Sequence, residues 1–297
     1  MSELMDTLQF VYAPQIVNGL SLGMAVILMA LGLTIIFGLL DVINMAHGEF
    51  YALGAYLGLT LLAMGMNFWI VLAVVPLIML PVGYLTERLL IQRVYHNKDR
   101  HILTLLLTFG LAIIMEDVFK IVYGPNALRP EVPISGAAEL FGMMFPAYRV
   151  FLMALGVVIV ACIWWVVYRT RWGAVVRAAA YDRDMAASMG VPVLRVYALT
   201  FAFGVALAGL AGVLLSPVYS VFPTMGKDFI LMAFTVVIVG GLGSIKGAII
   251  AGLLLTQVQA LSSLHISPVW SDPLAFGIMV LVLMFRPQGL FGKLGHG

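Results

Sequence analysis

The chain alternates long apolar runs with short polar breaks along most of its length. The runs are about 20 residues long, the length an α-helix needs to cross a hydrocarbon core of about 30 Å. Alternation of the kind that marks a transmembrane β-barrel is missing. Nine spans are predicted, over 16–40, 50–64, 68–90, 102–122, 147–168, 196–215, 229–239, 245–264 and 273–285. Spans two and seven are short, and merging or re-entry of either gives eight. Span one is dotted with Gly19, Ser21, Gly23, Ala25, Ala30, Gly32 and Gly38. Small residues let helix backbones approach closely in a membrane, so span one is expected at the centre of the bundle. Gly54 and Gly58 give span two a face of the same kind, and span six is again rich in Gly and Ala before Pro217 closes it. Pro76 and Pro81 predict a kink in span three. Spans one–two and six–seven each pair a small-residue helix with a short one running the other way, a pattern that suggests inverted repeats. The expected fold is all-α, a polytopic transmembrane helical bundle forming one domain over residues 1–297.

Composition agrees with the pattern. Hydrophobic residues make up 63% of the 297, charged residues 10%, and the mean hydropathy is +1.08. Soluble domains carry about 25% charged residues. A net charge of +2 is too small to imply a nucleic-acid partner. The single cysteine, Cys162, excludes an internal disulfide and a thiol metal cluster. Residues 1–10 hold no Lys or Arg, so the basic region of a signal peptide is not expected there. The placement of charge is more informative than its sum. Arg88, Arg93, Lys98, Arg100, Arg169, Arg171, Arg177, Arg183, Arg195, Lys246, Arg286 and Lys293 fall at one set of span ends. Only Lys120, Arg129, Arg149 and Lys227 fall at the other. The positive-inside rule then puts the N-terminus outside and the C-terminus in the cytoplasm. Trp69 and Trp270 at outer ends, with Trp164, Trp165 and Trp172 at the inner end of span five, fit aromatic belts.

Three polar stretches carry the candidate chemistry. The longest, 169–195, reads RTRWGAVVRAAAYDRDMAASMGVPVLR and holds five arginines. Ala178, Tyr181, Met185 and Met189 recur at helical spacing as one apolar stripe, with Arg177, Asp182, Arg183 and Asp184 on the other faces. Gly190 supplies a helix stop and Pro192 prevents continuation. Such a helix is compatible with a solvated loop, with the lipid headgroups, or with a groove on a partner. The second stretch, INMAHGEFYALGAY at 43–56, sets Asn44, His47 and Glu49 between two apolar spans. Ionisable groups at membrane depth mark functional sites. A helix-end cap at the cytoplasmic interface accounts for the same residues, because a carboxylate in a first turn suits the helix dipole. Glu116 and Lys120, four apart in span four, are expected to form an ion pair. The third stretch, GGLGSIKG at 240–247, lacks the spacing of a phosphate loop and reads as glycine for close packing or unwound backbone. No metal-ligand spacing and no nucleophile–base constellation is visible, so neither a metal site nor catalytic residues are expected.

The runs NGLSLG at 18–23, INMAHGEFYALGAY, WGAVVRAAAYDRDMAASMGV and GGLGSIKGAIIAG, with the ending RPQGLFG, resemble the inner-membrane permease of branched-chain amino acid ABC transporters, in order over nearly the whole chain. That resemblance implies a transport subunit that is not itself an enzyme. It pairs with a second, related permease and two cytoplasmic ATPases, which hold ATP and Mg, and receives solute from a periplasmic or lipid-anchored binding protein. It also implies that the segment from Arg177 to Gly190 is the coupling helix on the ATPase, with Ala179-Ala180 and Gly190 loosely matching the Ala-Ala…Gly pattern of ABC importers. Arg177, Ala178, Tyr181, Asp182, Met185, Met189 and Gly190 are the expected contacts. Asn44, His47 and Glu49, with Asn18 and Ser21 on span one, are assigned to the path or its cytoplasmic gate. Met45 stands where relatives commonly have an aromatic residue. Branched-chain or similar apolar amino acids are the expected solutes, with urea, amides and small carboxylates as alternatives within the family. A self-sufficient secondary transporter or channel is the competing class, but the charges lie mostly at span ends.

Overall fold

The computed structural model describes residues 11–95, 97–140 and 143–292. The expectations for residues 1–10 and Lys293 lie outside them. The described residues form eleven α-helices and one small hairpin. In order these are α1 Ala13–Leu40, α2 His47–Ala63, α3 Phe68–Leu89, α4 Arg100–Tyr123, β1 Ala137–Leu140, β2 Met143–Pro146, α5 Ala147–Arg169, α6 Arg171–Tyr181, α7 Arg183–Ser188, α8 Val193–Leu215, α9 Met225–Gly240, α10 Ile245–Ser262 and α11 Ser271–Phe285. Six of them, α1, α3 (continued to Val94), α4, α5, α8 and α10, are long and apolar enough to cross a membrane. The bundle is therefore a multi-pass membrane protein.

All nine predicted spans exist as separate helices. Span seven starts earlier than expected, at Met225, and span two at His47. Even so, α2 has 17 residues and α9 has 16, about 26 and 24 Å of helix, less than the hydrocarbon core. Pro76 and Pro81 both lie inside α3. The break before Lys246 is real: Gly241 and Gly243 adopt φ of +103° and +77°, a region open to glycine, and Lys246 is exposed.

Small residues decide which helices are central. The apolar windows of α1 and α8 are 78% and 83% buried, against 22–28% for α3, α4 and α5. Their glycines are the reason. A Cβ at Gly32 of α1 would fall 2.6 Å from the Gly204 carbonyl of α8, and one at Gly204 would fall 2.8 Å from the Gly32 carbonyl. The rest of the packing is exchanged in pairs. α1 packs on α10 as α8 packs on α3; α2 lies on α8 and α9 on α1. α2 and α9 meet each other at Gly48 and Gly226. The order α1–α2–α3 thus matches α8–α9–α10 under a pseudo-two-fold exchange, as the inverted-repeat pattern suggested.

At the end of α8 away from the arginine-rich loop, Tyr148 donates to the Leu214 carbonyl at 2.7 Å. Leu128 and Val221 form a β-bridge there, and Arg129 donates to the Pro217 carbonyl at 3.3 Å. These contacts satisfy polar backbone where helix bonds run out.

The glycine contacts yield a paired prediction. In Gly48→Ala the new methyl meets the Gly226 carbonyl and the Ile230 side chain. Overpacking of about 1–3 kcal/mol is expected, with a melting temperature in detergent lower by several degrees. Gly110 of α4 has nothing within 4 Å of a new Cβ. Gly110→Ala is expected to be neutral or stabilising by up to about 1 kcal/mol. Equal melting temperatures for the two variants contradict the role given to the Gly48–Gly226 contact.

Candidate functional site

His47 and Glu49 begin α2 and Asn44 precedes it, and all three are buried inside the bundle. α1 closes on Asp41, whose φ of +51° turns the chain and whose carboxylate lies 3.7 Å from Arg100 Nη2. The next residues run back into the bundle beside α4. The Met45 amide donates to Thr108 Oγ1 at 3.1 Å, and the Ala46 amide to Asn44 Oδ1 at 3.1 Å. His47 then reaches α1, where Nε2 donates to the Met29 carbonyl at 3.1 Å; the carbonyl can only accept, which fixes the tautomer. Met29 precedes Leu40 by about 16 Å of helix. Side chains of Asn44, His47 and Glu49 are buried to 1%, 0% and 1% exposure. The interfacial-cap reading is corrected accordingly: the six residues 41–46, turned at Asp41 and held by Thr108, carry the start of α2 inside.

Glu49 does retain the helix-dipole relation, for two helices at once. It lies in the first turn of α2, and a Cβ on Gly226, in the first turn of α9, would fall 2.5 Å from Glu49 Oε1. A carboxylate between two converging helix N-termini meets the positive ends of both. Asn44 Nδ2, His47 Nδ1 and Glu49 Oε2 have no partner among the described residues. Buried polar atoms are nearly always hydrogen-bonded, so these three are suited to hold ordered water.

The ion pair expected between Glu116 and Lys120 is present at 2.7 Å, with Asp117 at 3.2 Å from the same amine. Glu116 also pairs with Lys227 in the first turn of α9. Lys227 was missed by sequence reasoning. The signal in the sequence was a charge at the start of an apolar run, since charges at membrane depth seek partners.

Asn18 and Ser21 stand apart from this centre, on a cavity of about 760 Å³ at the end of the bundle away from the arginine loop. Parts of α1, α5, α8, α9, α10 and α11 line it, together with the loop holding Val218, Tyr219 and Ser220. Ser21 donates to the Asn18 carbonyl at 2.9 Å, and Asn18 Nδ2 to Gln15 at 3.4 Å. Burial raises the pKa of the Tyr219 hydroxyl, and the nearby Arg149 guanidinium opposes the shift. The five assigned path residues therefore form two groups, a sealed one at the α2 start and an open one on α1.

The predicted single helix across 177–190 is two. Asp182 leaves helical geometry (φ −148°, ψ 105°) and accepts from the Met185 amide at 2.9 Å, ending α6 and capping α7. Asp is a preferred N-cap residue, so Asp182 was a legible signal in the sequence, and the apolar stripe was counted across it. Tyr181, Met185 and Met189 remain 83%, 63% and 79% exposed, with Ala178 exposed beside them. Gly190 has the φ of +83° that its role as a helix stop requires. Arg177 turns back on its own chain: it donates to the Val167 carbonyl and lies 5.6 Å over the Tyr168 ring.

The family model described as the permease component of branched-chain amino acid transport systems matches residues 15–283. The high-affinity branched-chain amino acid transport system permease protein LivH of Salmonella typhimurium is 32% identical, over 96% of this chain and 97% of its own. BraD of Pseudomonas aeruginosa, of the same description, is 32% identical over 95% and 96%. LivM of Escherichia coli, also a permease of such a system, is 27% identical over 91% of this chain and 68% of its own. Among solved structures, PsaBC from Streptococcus pneumoniae in complex with Fab matches with a TM-score of 0.51 over 98% of both chains, at 14% identity, a likeness of fold alone.

The Glu116–Lys227 pair generates a test. Lys227→Gln leaves a buried carboxylate with one cation in place of two. Because both lysines are partly exposed, a loss on the order of 1 kcal/mol is expected. Glu116→Gln in the same chain is expected to recover most of it, as read by a double-mutant cycle on thermal stability. Additive losses contradict the coupling.

Proposed function

The chain belongs to the family of permease components of branched-chain amino acid transport systems, and from that premise we propose that it is the membrane-spanning subunit of an ATP-driven importer of branched-chain or related small apolar amino acids. Its partners in this reading are a second, related permease, two cytoplasmic ATPases that hold ATP and Mg, and an external binding protein, periplasmic or lipid-anchored. The complex sits in a bacterial-type inner membrane. The chain's N-terminus is outside and its C-terminus in the cytoplasm, as the placement of Lys and Arg favours. At these arginine-rich ends Arg100 meets the end of α1 at Asp41, and Arg183 lies 5.7 Å over the Tyr197 ring at the start of α8.

The observation that carries the reading is the apolar surface of Tyr181, Met185 and Met189. Three large apolar side chains on a two-helix elbow among arginines are poorly suited to water and well suited to a groove on a partner. The elbow is attached directly to the ends of α5 and α8, so force on it is transmitted to the central helix. α8 in turn packs on α1, α2 and α3, which encloses Asn44, His47 and Glu49. In this reading the sealed group at the α2 start is the gate, and Asn18 and Ser21 belong to the open approach to it.

Met185→Asp is expected to leave the protein in the membrane, reduce ATPase co-purification at least about tenfold, and abolish uptake. Normal uptake with the ATPase still bound contradicts the docking role. Glu49→Gln keeps the shape of the gate and removes its charge, and is expected to lower uptake without loss of assembly. If uptake and its coupling to ATP hydrolysis are unchanged, Glu49 is a structural charge only. Reconstituted transport of labelled leucine with the cognate binding protein, compared with urea and an aromatic acid, tests the solute class. ATP-dependent uptake of another solute in place of leucine overturns that part.

A further inference from the structure

Away from the buried centre and the open cavity, a groove of about 380 Å³ has a wall that is apolar throughout. Met24 of α1, Val157, Val160, Ala161 and Trp164 of α5, and Ile249 of α10 line it. α1 and α5 touch at one end, where a Cβ at Gly156 would fall 2.6 Å from Met24 Cβ. From Val157 to Trp164 the groove follows α5 for about 10 Å toward the arginine-rich loop. There the polar groups begin. The Trp164 ring lies 5.7 Å from that of Tyr168, one turn on, and Arg177 of α6 lies 5.6 Å over the Tyr168 ring. On the α10 side, exposed Lys246 precedes Ile249 by three residues, the spacing that sets two side chains on one helix face.

An apolar body, an aromatic rim and two cations beyond it repeat the polarity of a phospholipid taken from tail to phosphate. We propose that this groove is a binding site for one anionic phospholipid. An acyl chain lies along Val157, Val160 and Ala161, and Arg177 and Lys246 hold the phosphate. Length separates this occupant from a helix of a second permease. Val157 to Tyr168 covers about 17 Å of helix, near half of a hydrocarbon core of about 30 Å. That is the reach of one leaflet, whereas a partner helix needs a face running through both. Arg177 is also fixed in place for the task. It donates to the Val167 carbonyl, which holds the guanidinium beside Tyr168 and leaves most of its five N–H donors for a phosphate. A lipid bound there braces α5 and α6 against α10 on the flank of the elbow. The inference needs only a chain that spans a membrane, and it holds for any solute carried.

The test offers the purified full chain equimolar phosphatidylglycerol and phosphatidylcholine of the same acyl chains, and native mass spectrometry reads the lipid retained. The wild type is expected to retain phosphatidylglycerol at least about tenfold over phosphatidylcholine, since each basic residue near an anionic headgroup contributes about fivefold. Arg177→Gln and Lys246→Gln are each expected to lower that preference about fivefold and leave phosphatidylcholine unchanged. Arg177→Lys keeps the charge and is expected to keep most of the preference. Ala161→Phe fills the groove and is expected to lower both lipids about tenfold. Val157→Trp fills it from another exposed position and replaces Ala161→Phe if that variant melts early. Equal retention of the two lipids by the wild type overturns the site, as does undiminished lipid on a filled groove at the wild-type melting temperature. A filled groove that releases the related permease from the complex while lipid stays bound marks a protein interface, and overturns it too.

Discussion

The close approach of Gly48 to Gly226 is the constraint from which much of this architecture follows. Two helices whose starts meet inside the bundle cannot carry a Cβ at the contact, because each would drive it into the other's backbone or side chains. They also bring two positive dipole ends together, which is unfavourable without an anion. Glu49 places a carboxyl group there, sealed by the same contact. Elsewhere a buried carboxylate without a full set of partners is a liability. Here the first turns of α2 and α9 partly replace the missing hydration.

Short helices follow from the same constraint. A chain that begins a helix inside the bundle must first return there through non-helical backbone, and such backbone is tolerated at membrane depth only when protein or water satisfies it. On one side Thr108 and the Asn44 side chain receive the amides of Met45 and Ala46. On the other, Leu128 pairs with Val221 just before α9. The two re-entries use different partners, a helix residue in one and an extended loop residue in the other. Their helices are nevertheless related by exchange.

Much of this was legible in the sequence, and the limits have physical causes. Apolar runs and small-residue spacing identify the spans and the central helices, because lipid demands the first and close packing the second. Gly190 and the 240–247 break could be read because glycine alone is comfortable at the backbone angles found at Gly190, Gly241 and Gly243. The depth of His47 could not. A helix-starting carboxylate looks the same at an interface and inside a bundle, and only Thr108 and Met29, remote in sequence, distinguish the two. The Glu116–Lys227 pair is hidden for the same reason. The elbow at Asp182 was readable in principle, but an apolar stripe that keeps its spacing across a cap conceals the break.

Charge in this chain is used in three distinct ways, and the difference lies in what surrounds it. Arginines at the elbow are exposed or lie over tyrosine rings, where their cost is low and their sign orients the chain. Glu116, Lys120 and Lys227 are paired across α4 and α9, tying a weakly packed helix to the short one. Glu49 is buried with no ion pair among the described residues, and its surroundings are set by two helix starts. A small displacement of α9 leaves the first two groups nearly as they were, since exposed charges adapt and lysine chains are long. It changes the surroundings of Glu49 at once, because its packing against Gly226 has no slack. Sensitivity to helix position is therefore concentrated at one carboxylate.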